Sequence, residues 1–449
     1  MTSGSSFSVA ANRKGTISGL VFITLSFMVP MAASAQLESE TPKIGDLKDI
    51  IVSAYEYHPQ LKSLRAETQG SREILNEARA NYLPQISLDG SLNASDRKAA
   101  LQDGSRFEQN TTPQAISLRF NQTLYNGGRR ALATRNATYT VKASEARYDT
   151  FATAIAAEII QDYMSLLAAI AEVKALEESV AILGELEKSV LARQKVGDST
   201  RTDVSQARSR LASARARRAS SRAELTNARS RLLSKTGFLV ENPTLPIEAT
   251  VPILQDLDAI KSMARRNSPA LKSSRLNEMS ANLSLQSEGR KHLPTITLTA
   301  NASSVRDSSP TIRKDDDLNI GLRFTMPIYT GGVGAAQTRR AAASFNAARY
   351  QYENTLRETD LRIEQFWSQL QSGVAVIMAQ KSSVEASDDA LTGVTRGEEV
   401  GLTSTQDIID AAQNKLNADI ALARAEYSQY TTRLLLKLYM GDFDVYDFK

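Results

Sequence analysis

The chain is written twice, and a sequence whose second half repeats its first is expected to fold as one structural unit packed against its own copy. His58-Pro59-Gln60-Leu61-Lys62-Ser63 aligns with Ser268-Pro269-Ala270-Leu271-Lys272-Ser273, and Leu83-Pro84 with Leu293-Pro294, at an offset of 210. Further along, LYNGG (Leu124 to Gly128) matches IYTGG (Ile328 to Gly332), and Val196-Gly197 with Asp203-Val204 matches Val400-Gly401 with Asp407-Ile408, at an offset of 204. The change in offset falls between two alternating segments, where a loop is expected. The repeats divide the chain into residues 36–245 and 246–449, preceded by residues 1–35.

Those first residues read as a secretory signal peptide: Arg13 and Lys14, an apolar run from Ile17 to Met31, then Ala33-Ser34-Ala35 before Gln36. No later stretch is long and apolar enough for a spanning helix. There is no cysteine, which excludes disulfides and a lipidated N-terminal Cys. The mature part is rich in Ala, Ser and Arg and poor in aromatics, a mixture that suits long helices with thin contacts. The formal charge is a modest +4. The arginines between Arg201 and Arg231 are spread around a helix with Asp203 and Glu224 among them, so they read as a solvated face and not as a nucleic-acid surface.

Each copy embeds two segments of period two, in which alternate residues fall on opposite faces of a sheet. Near 85–94, Ile86, Leu88, Leu92 and Ala94 alternate with Ser87, Asp89, Ser91 and Asn93; near 115–124, Ile116, Leu118 and Phe120 oppose Ser117, Arg119 and Asn121. The second copy repeats this near 295–304 (Ile296, Leu298, Ala300) and 318–328 (Leu318, Ile320, Leu322, Phe324). Each run is about 9 to 11 residues, enough for a tilted strand to cross a bilayer, and Tyr82, Tyr125 and Tyr329 flank the runs where an aromatic girdle lies. The stretches between them, Asp96 to Thr112 and Val305 to Asp317, read as polar loops. Four strands in lipid leave two edges without hydrogen-bond partners and are too few to close a barrel. The chain must therefore oligomerise, although any copy number of two or more meets that requirement.

Between Arg129 and Lys195 there is no proline, and Ile159, Leu166, Val173 and Val180 recur every seven residues; Ile363, Leu370, Ile377, Val384 and Leu391 repeat the row. A strict heptad implies supercoiled helices. Over that span a helix reaches roughly 100 Å, far beyond a membrane's thickness, so it projects into water. Helices Leu47 to Asn81 and Leu257 to Lys291 are expected to fill the wall beside the returning ones. Helix stops fall at Val196-Gly197 and Val400-Gly401, with Thr or Ser before the returning helices, which places turns at 196–201 and 400–405.

In this order and duplication, YLP (Tyr82 to Pro84), HLP (His292 to Pro294), LYNGG, IYTGG and the tip turns resemble the TolC family of outer-membrane efflux and export channels, over nearly all of the mature chain. The resemblance implies a mainly helical fold with a transmembrane β part: a homotrimer giving four strands per protomer to a twelve-stranded barrel, continued by a helical coiled-coil barrel across the periplasm. It also implies a periplasmic adaptor and an inner-membrane transporter of the RND or ABC class as partners. The tip residues Val196, Gly197, Val400, Gly401 and Leu402 become the adaptor-docking surface.

Asp407 and Asp410 lie three apart at the start of the last helix, on one face. A carboxylate in a first helical turn is favoured by the helix dipole, which accounts for Asp407 and for Asp203 in the other copy. It accounts less well for Asp410, one turn further on. In the family these two positions form acidic rings at the closed tunnel mouth. The family's clasp tyrosine and arginine correspond to Glu398 and Thr403 here, facing Thr202 and Asp203, so that clasp cannot form; Arg201 or Arg396 is the candidate replacement cation, toward Glu398 or Asp203. The only histidines, His58 and His292, fall at unmatched places in the two copies. No metal-ligand spacing, nucleophile–base set or phosphate loop is present, so neither an enzyme nor a cofactor is expected. The competing reading is a periplasmic coiled-coil protein with a soluble β-domain. Osmotic shock releases such a protein, whereas the outer-membrane reading requires detergent for extraction; fractionation of expressing cells separates the two.

Overall fold

A computed structural model describes residues 47–441 apart from 241, 254, 255, 310 and 311; the expected signal peptide lies outside the described residues. The first copy contains α1 (Leu47–Tyr57), α2 (Pro59–Ala80), β1 (Gln85–Leu92), β2 (Ser95–Ala100), β3 (Arg106–Thr111), β4 (Gln114–Tyr125), α3 (Arg129–Val196) and α4 (Arg201–Thr236). A short α5 (Ile247–Thr250) leads to α6 (Leu257–Asn267), α7 (Pro269–Gly289), β5 (Thr295–Ser309), β6 (Ile312–Thr325), α8 (Val333–Glu399) and α9 (Thr405–Met440).

Where one helix is expected before each strand pair, two are found. The breaks are at His58 (φ −64°, ψ 118°) and Ser268 (φ −63°, ψ 114°), each just before a proline. Proline lacks the N–H of a helix interior and pushes the preceding residue out of the α region, so the identical break in both copies follows from Pro59 and Pro269.

Strands β1, β4, β5 and β6 form one antiparallel sheet in the order β1-β4-β5-β6, while β2 and β3 pair separately. The stretches expected to be polar loops are strand instead. β2 and β3 occupy most of 96–112, and β5 and β6 run to Ser309 and Ile312 as 15- and 14-residue strands. Apolar alternation disappears along these extensions while backbone pairing continues, as expected where both faces meet water. Within the sheet the alternating sets stay in register: Leu88 faces Leu118, which faces Ala302, which faces Leu318. One face is apolar and bare, with Ile86, Leu88, Leu318, Ile320, Leu322 and Phe324 each at least 65% exposed.

Helical packing follows the heptads and the repeat. Around α3, Ile50, Ile159, Ile160, Tyr163, Leu166, Leu232 and Leu434 form a buried cluster. A smaller one contains Ile260, Ile363, Leu370 and Leu436, which stand at the repeat-equivalent positions of Ile50, Ile159, Leu166 and Leu232. The second row is less well covered. α3 packs against α2, α4, α7 and α9, whereas α8 lies at the protomer's flank and leaves Val374 and Met378 more than half exposed. Toward the tip, Leu183, Leu186, Val190, Val204, Leu211, Ile408 and Ile409 form a third cluster. No described helix is long and apolar enough to cross a membrane. Leu166 is fully buried in the largest cluster. Its truncation to Ala is expected to lower the unfolding free energy by about 2–5 kcal/mol, measured by denaturant unfolding in detergent.

Candidate functional site: the helical tip and its carboxylates

Both long hairpins turn on the same chemistry. α3 ends at Gly197 with φ +89°, and the turn after α8 passes through Gly401 with φ +76°, conformations that cost other L residues. Each returning helix starts with a capping box. Thr200 Oγ1 accepts from Asp203 N at 3.1 Å while Asp203 Oδ2 accepts from Thr200 N at 2.9 Å, and Ser404 and Asp407 repeat the exchange at 3.3 and 2.8 Å. Asp203 and Asp407 are thus the N3 partners of the caps Thr200 and Ser404.

Hydrogen bonds from Thr200, backbone first and then hydroxyl, hold the Asp203 carboxyl below the usual carboxylate range, with a smaller pull from Arg193. The hydroxyl and N–H of Ser404 do the same for Asp407. Asp410 stands apart: it is exposed one turn beyond Asp407 and accepts from Gln406 Nε2 at 2.9 Å. The equivalent residue in the first copy is Gln206, so the paired carboxylates belong to the second hairpin alone.

The cation that reaches Glu398 is Arg193, on α3. Its Nη2 donates to Glu398 Oε1 across the two hairpins, with the side chains only 26% and 11% exposed. Arg201 and Arg396, the expected replacements, are exposed and form no ion pair among the described residues. The reason is positional. Arg193 lies one turn inside the end of α3, on the side facing α8, whereas Arg201 opens α4 in solvent. Arg193 and Glu398 are 205 residues apart, close to the repeat offset of 204, and that near-match is the sequence signal that could have exposed the pair.

Thr403 faces inward across its own turn. Its Oγ1 donates to Val394 O at 2.7 Å, and a Cβ on Gly397 would come within 2.9 Å of Thr403 Cγ2, so only glycine allows this approach. Thr202 is exposed on the first turn of α4. Val196, Val400 and Leu402 are 81%, 69% and 82% exposed, forming an apolar tip in an otherwise polar region. Tyr82, Tyr125 and Tyr329 sit at the helix–strand junctions, where the Arg130 guanidinium stacks on Tyr82 at 4.7 Å.

A sheet bare of cover on its apolar face, joined to paired helical hairpins some 100 Å long, defines an outer-membrane channel that reaches through the periplasm. Residues 50–237 and 260–442 match the family described as outer membrane efflux protein, and the chain belongs to that family. Among similar proteins, the outer membrane efflux protein BepC of Brucella suis biovar 1 (strain 1330) is 28% identical over 409 residues, covering 88% of this chain and 87% of that one. The outer membrane protein TolC of Escherichia coli (strain K12) is 25% identical over 425 residues, covering 91% and 85%. The crystal structure of the outer membrane protein VceC from Vibrio cholerae matches with a TM-score of 0.75 at 20% identity, over 88% of this chain and 96% of that one.

The caps also carry a pH dependence. A carboxyl whose value is lowered on folding stabilises the folded tip above its unfolded value and loses that contribution as pH falls through the folded one. Between about pH 6 and about pH 3, amides in the first turns of α4 and α9 are expected to lose exchange protection before the cluster around Tyr163 does. In an Asp203→Asn/Asp407→Asn variant the difference between tip and cluster should no longer depend on pH.

Proposed function

We propose that the protein is the exit duct of an envelope-spanning efflux or secretion system, working as a trimer with the acidic tip as its gate. Its place in the outer membrane and its role as a passive duct for efflux or secretion follow from the family; channels of this kind work with adaptors and inner-membrane transporters. In this reading three protomers pool their sheets into a twelve-stranded barrel. The single observation that carries it is the four-stranded sheet whose apolar face is bare and whose edge strands, β1 and β6, have no partner on their outer sides among the described residues. The exposed apolar residues of α8 add a second unsatisfied surface, which the next protomer covers in this reading.

The repeats 36–245 and 246–449 then act as near-equivalent staves around the pore, and their hairpins converge at one mouth. Asp407 and Asp410 from each protomer gather there as carboxylate rings, a constriction that attracts cations. Arg193–Glu398 takes the place of the family's clasp by tying the first hairpin to the second. An adaptor's apolar hairpin tips meet Val196, Val400 and Leu402, and a transporter of the RND or ABC class supplies the energy. Gly197 and Gly401 set the turns that present those three side chains.

Planar-bilayer conductance tests the gate. Trivalent cations added on the tip side are expected to block the wild type and to lose most of that block in Asp407→Ala/Asp410→Ala. Arg193→Ala, which leaves Glu398 without its partner, is expected to raise the resting conductance several-fold. Block that survives loss of both carboxylates, or a resting conductance unchanged in Arg193→Ala, removes the corresponding assignment.

A further inference from the structure

The polar face of the sheet is not evenly charged, and its register gives the order of the charges. Residues that share this face pair row by row: Ser91 with Ala115, Val305 and Asp315; Asp89 with Ser117, Ser303 and Asp317; Ser87 with Arg119, Asn301 and Asn319. Next comes a neutral row of Gln85, Asn121, Thr299 and Gly321, and after it Thr123, Thr297 and Arg323. The helices join the sheet at Gln85, Tyr125, Thr295 and Thr325. The arginine rows therefore lie at the helical end, and the three acids lie toward the hairpin ends.

The opposite face carries the exposed Ile, Leu and Phe side chains. Against hydrocarbon, that face must turn outward and the charged one inward. Arg119 pairs with Asp89, at 3.6 Å between Nη1 and Oδ2. Arg323 is exposed and has no acidic partner among the described residues. An uncompensated guanidinium on the inner wall of a narrow barrel acts across the lumen, because the Debye length is about 10 Å at 0.1 M salt and longer below it.

We propose that Arg323, with Arg119 two rows beyond it, forms a cationic band at the floor of the barrel that takes the anionic groups, carboxylate or phosphate, of passing cargo. The inference rests on the duct reading above. It gives the conduit two charge stations of opposite sign: the tip carboxylates, which favour cations, and the barrel floor, which favours anions. Guanidinium suits both anions because its fork matches their paired oxygens. Asp89, Asp315 and Asp317 limit the band on its outer side, so an anion is held at the junction between helices and strands and not throughout the barrel.

The test measures reversal potentials of the purified trimer in planar bilayers under a KCl gradient at low salt. An Asp407→Ala/Asp410→Ala background keeps the tip carboxylates from dominating the selectivity. Adding Arg323→Ala is expected to lower the chloride-to-potassium permeability ratio at least threefold, adding Arg119→Ala as well to lower it further, and Arg323→Lys to retain most of it. A conducting Arg323→Ala channel with an unchanged ratio overturns the cationic band while leaving the duct intact. If the wild type does not conduct, the duct reading and this inference fall together.

Discussion

The structure depends on the cost of leaving backbone N–H and C=O groups unpaired in hydrocarbon. A four-stranded sheet with one apolar face can lie in a bilayer only if its two edges find partners, and among the described residues no further strand pairs with the outer edge of β1 or β6. The same shortage recurs among the helices. α3 is enclosed by neighbours, but α8, its repeat-equivalent, presents valines and a methionine to solvent. Sheet and helices thus both leave apolar surface uncovered on the same protomer.

Duplication makes such an assembly economical in sequence. Equivalent residues build equivalent clusters around Ile159 and Ile363, and equivalent capping boxes start α4 and α9. The copies diverge at the tip. Gln206 stands opposite Asp410, so one hairpin carries paired carboxylates and the other does not. Gly397 stands opposite Arg193, and Glu398 opposite Gln194, so the ion pair between the hairpins forms once and not twice. A perfect repeat would carry neither asymmetry.

Much of the fold was legible because its signals are local. Period two marked the sheet-forming runs, period seven the long helices, and Gly with Ser or Thr the turns. The strand extensions past Asp96 and Val305 were not legible, because outside the bilayer neither face is obliged to be apolar. The helix breaks at His58 and Ser268 have a local cause in the prolines that follow them. At the tip, the roles of Asp203 and Asp407 in the helix starts could be read from local spacing, whereas no local rule favours Arg193 over Arg201 or Arg396; its partner is 205 residues away, and only the near-match to the repeat offset points to it.

The sequence by itself determined the duplicated plan, the two-faced strands, the long helices and the position of the turns, since each rests on periodicity or on residues a few places apart. Only the tertiary structure decided which side chains meet across the two hairpins, how far the strands run beyond the apolar zone, and how charge is layered on the polar face of the sheet. Those features arise from strand register and from interhelical packing over some two hundred residues of separation, where a shift of one residue would reverse a strand's faces and replace one partner with another.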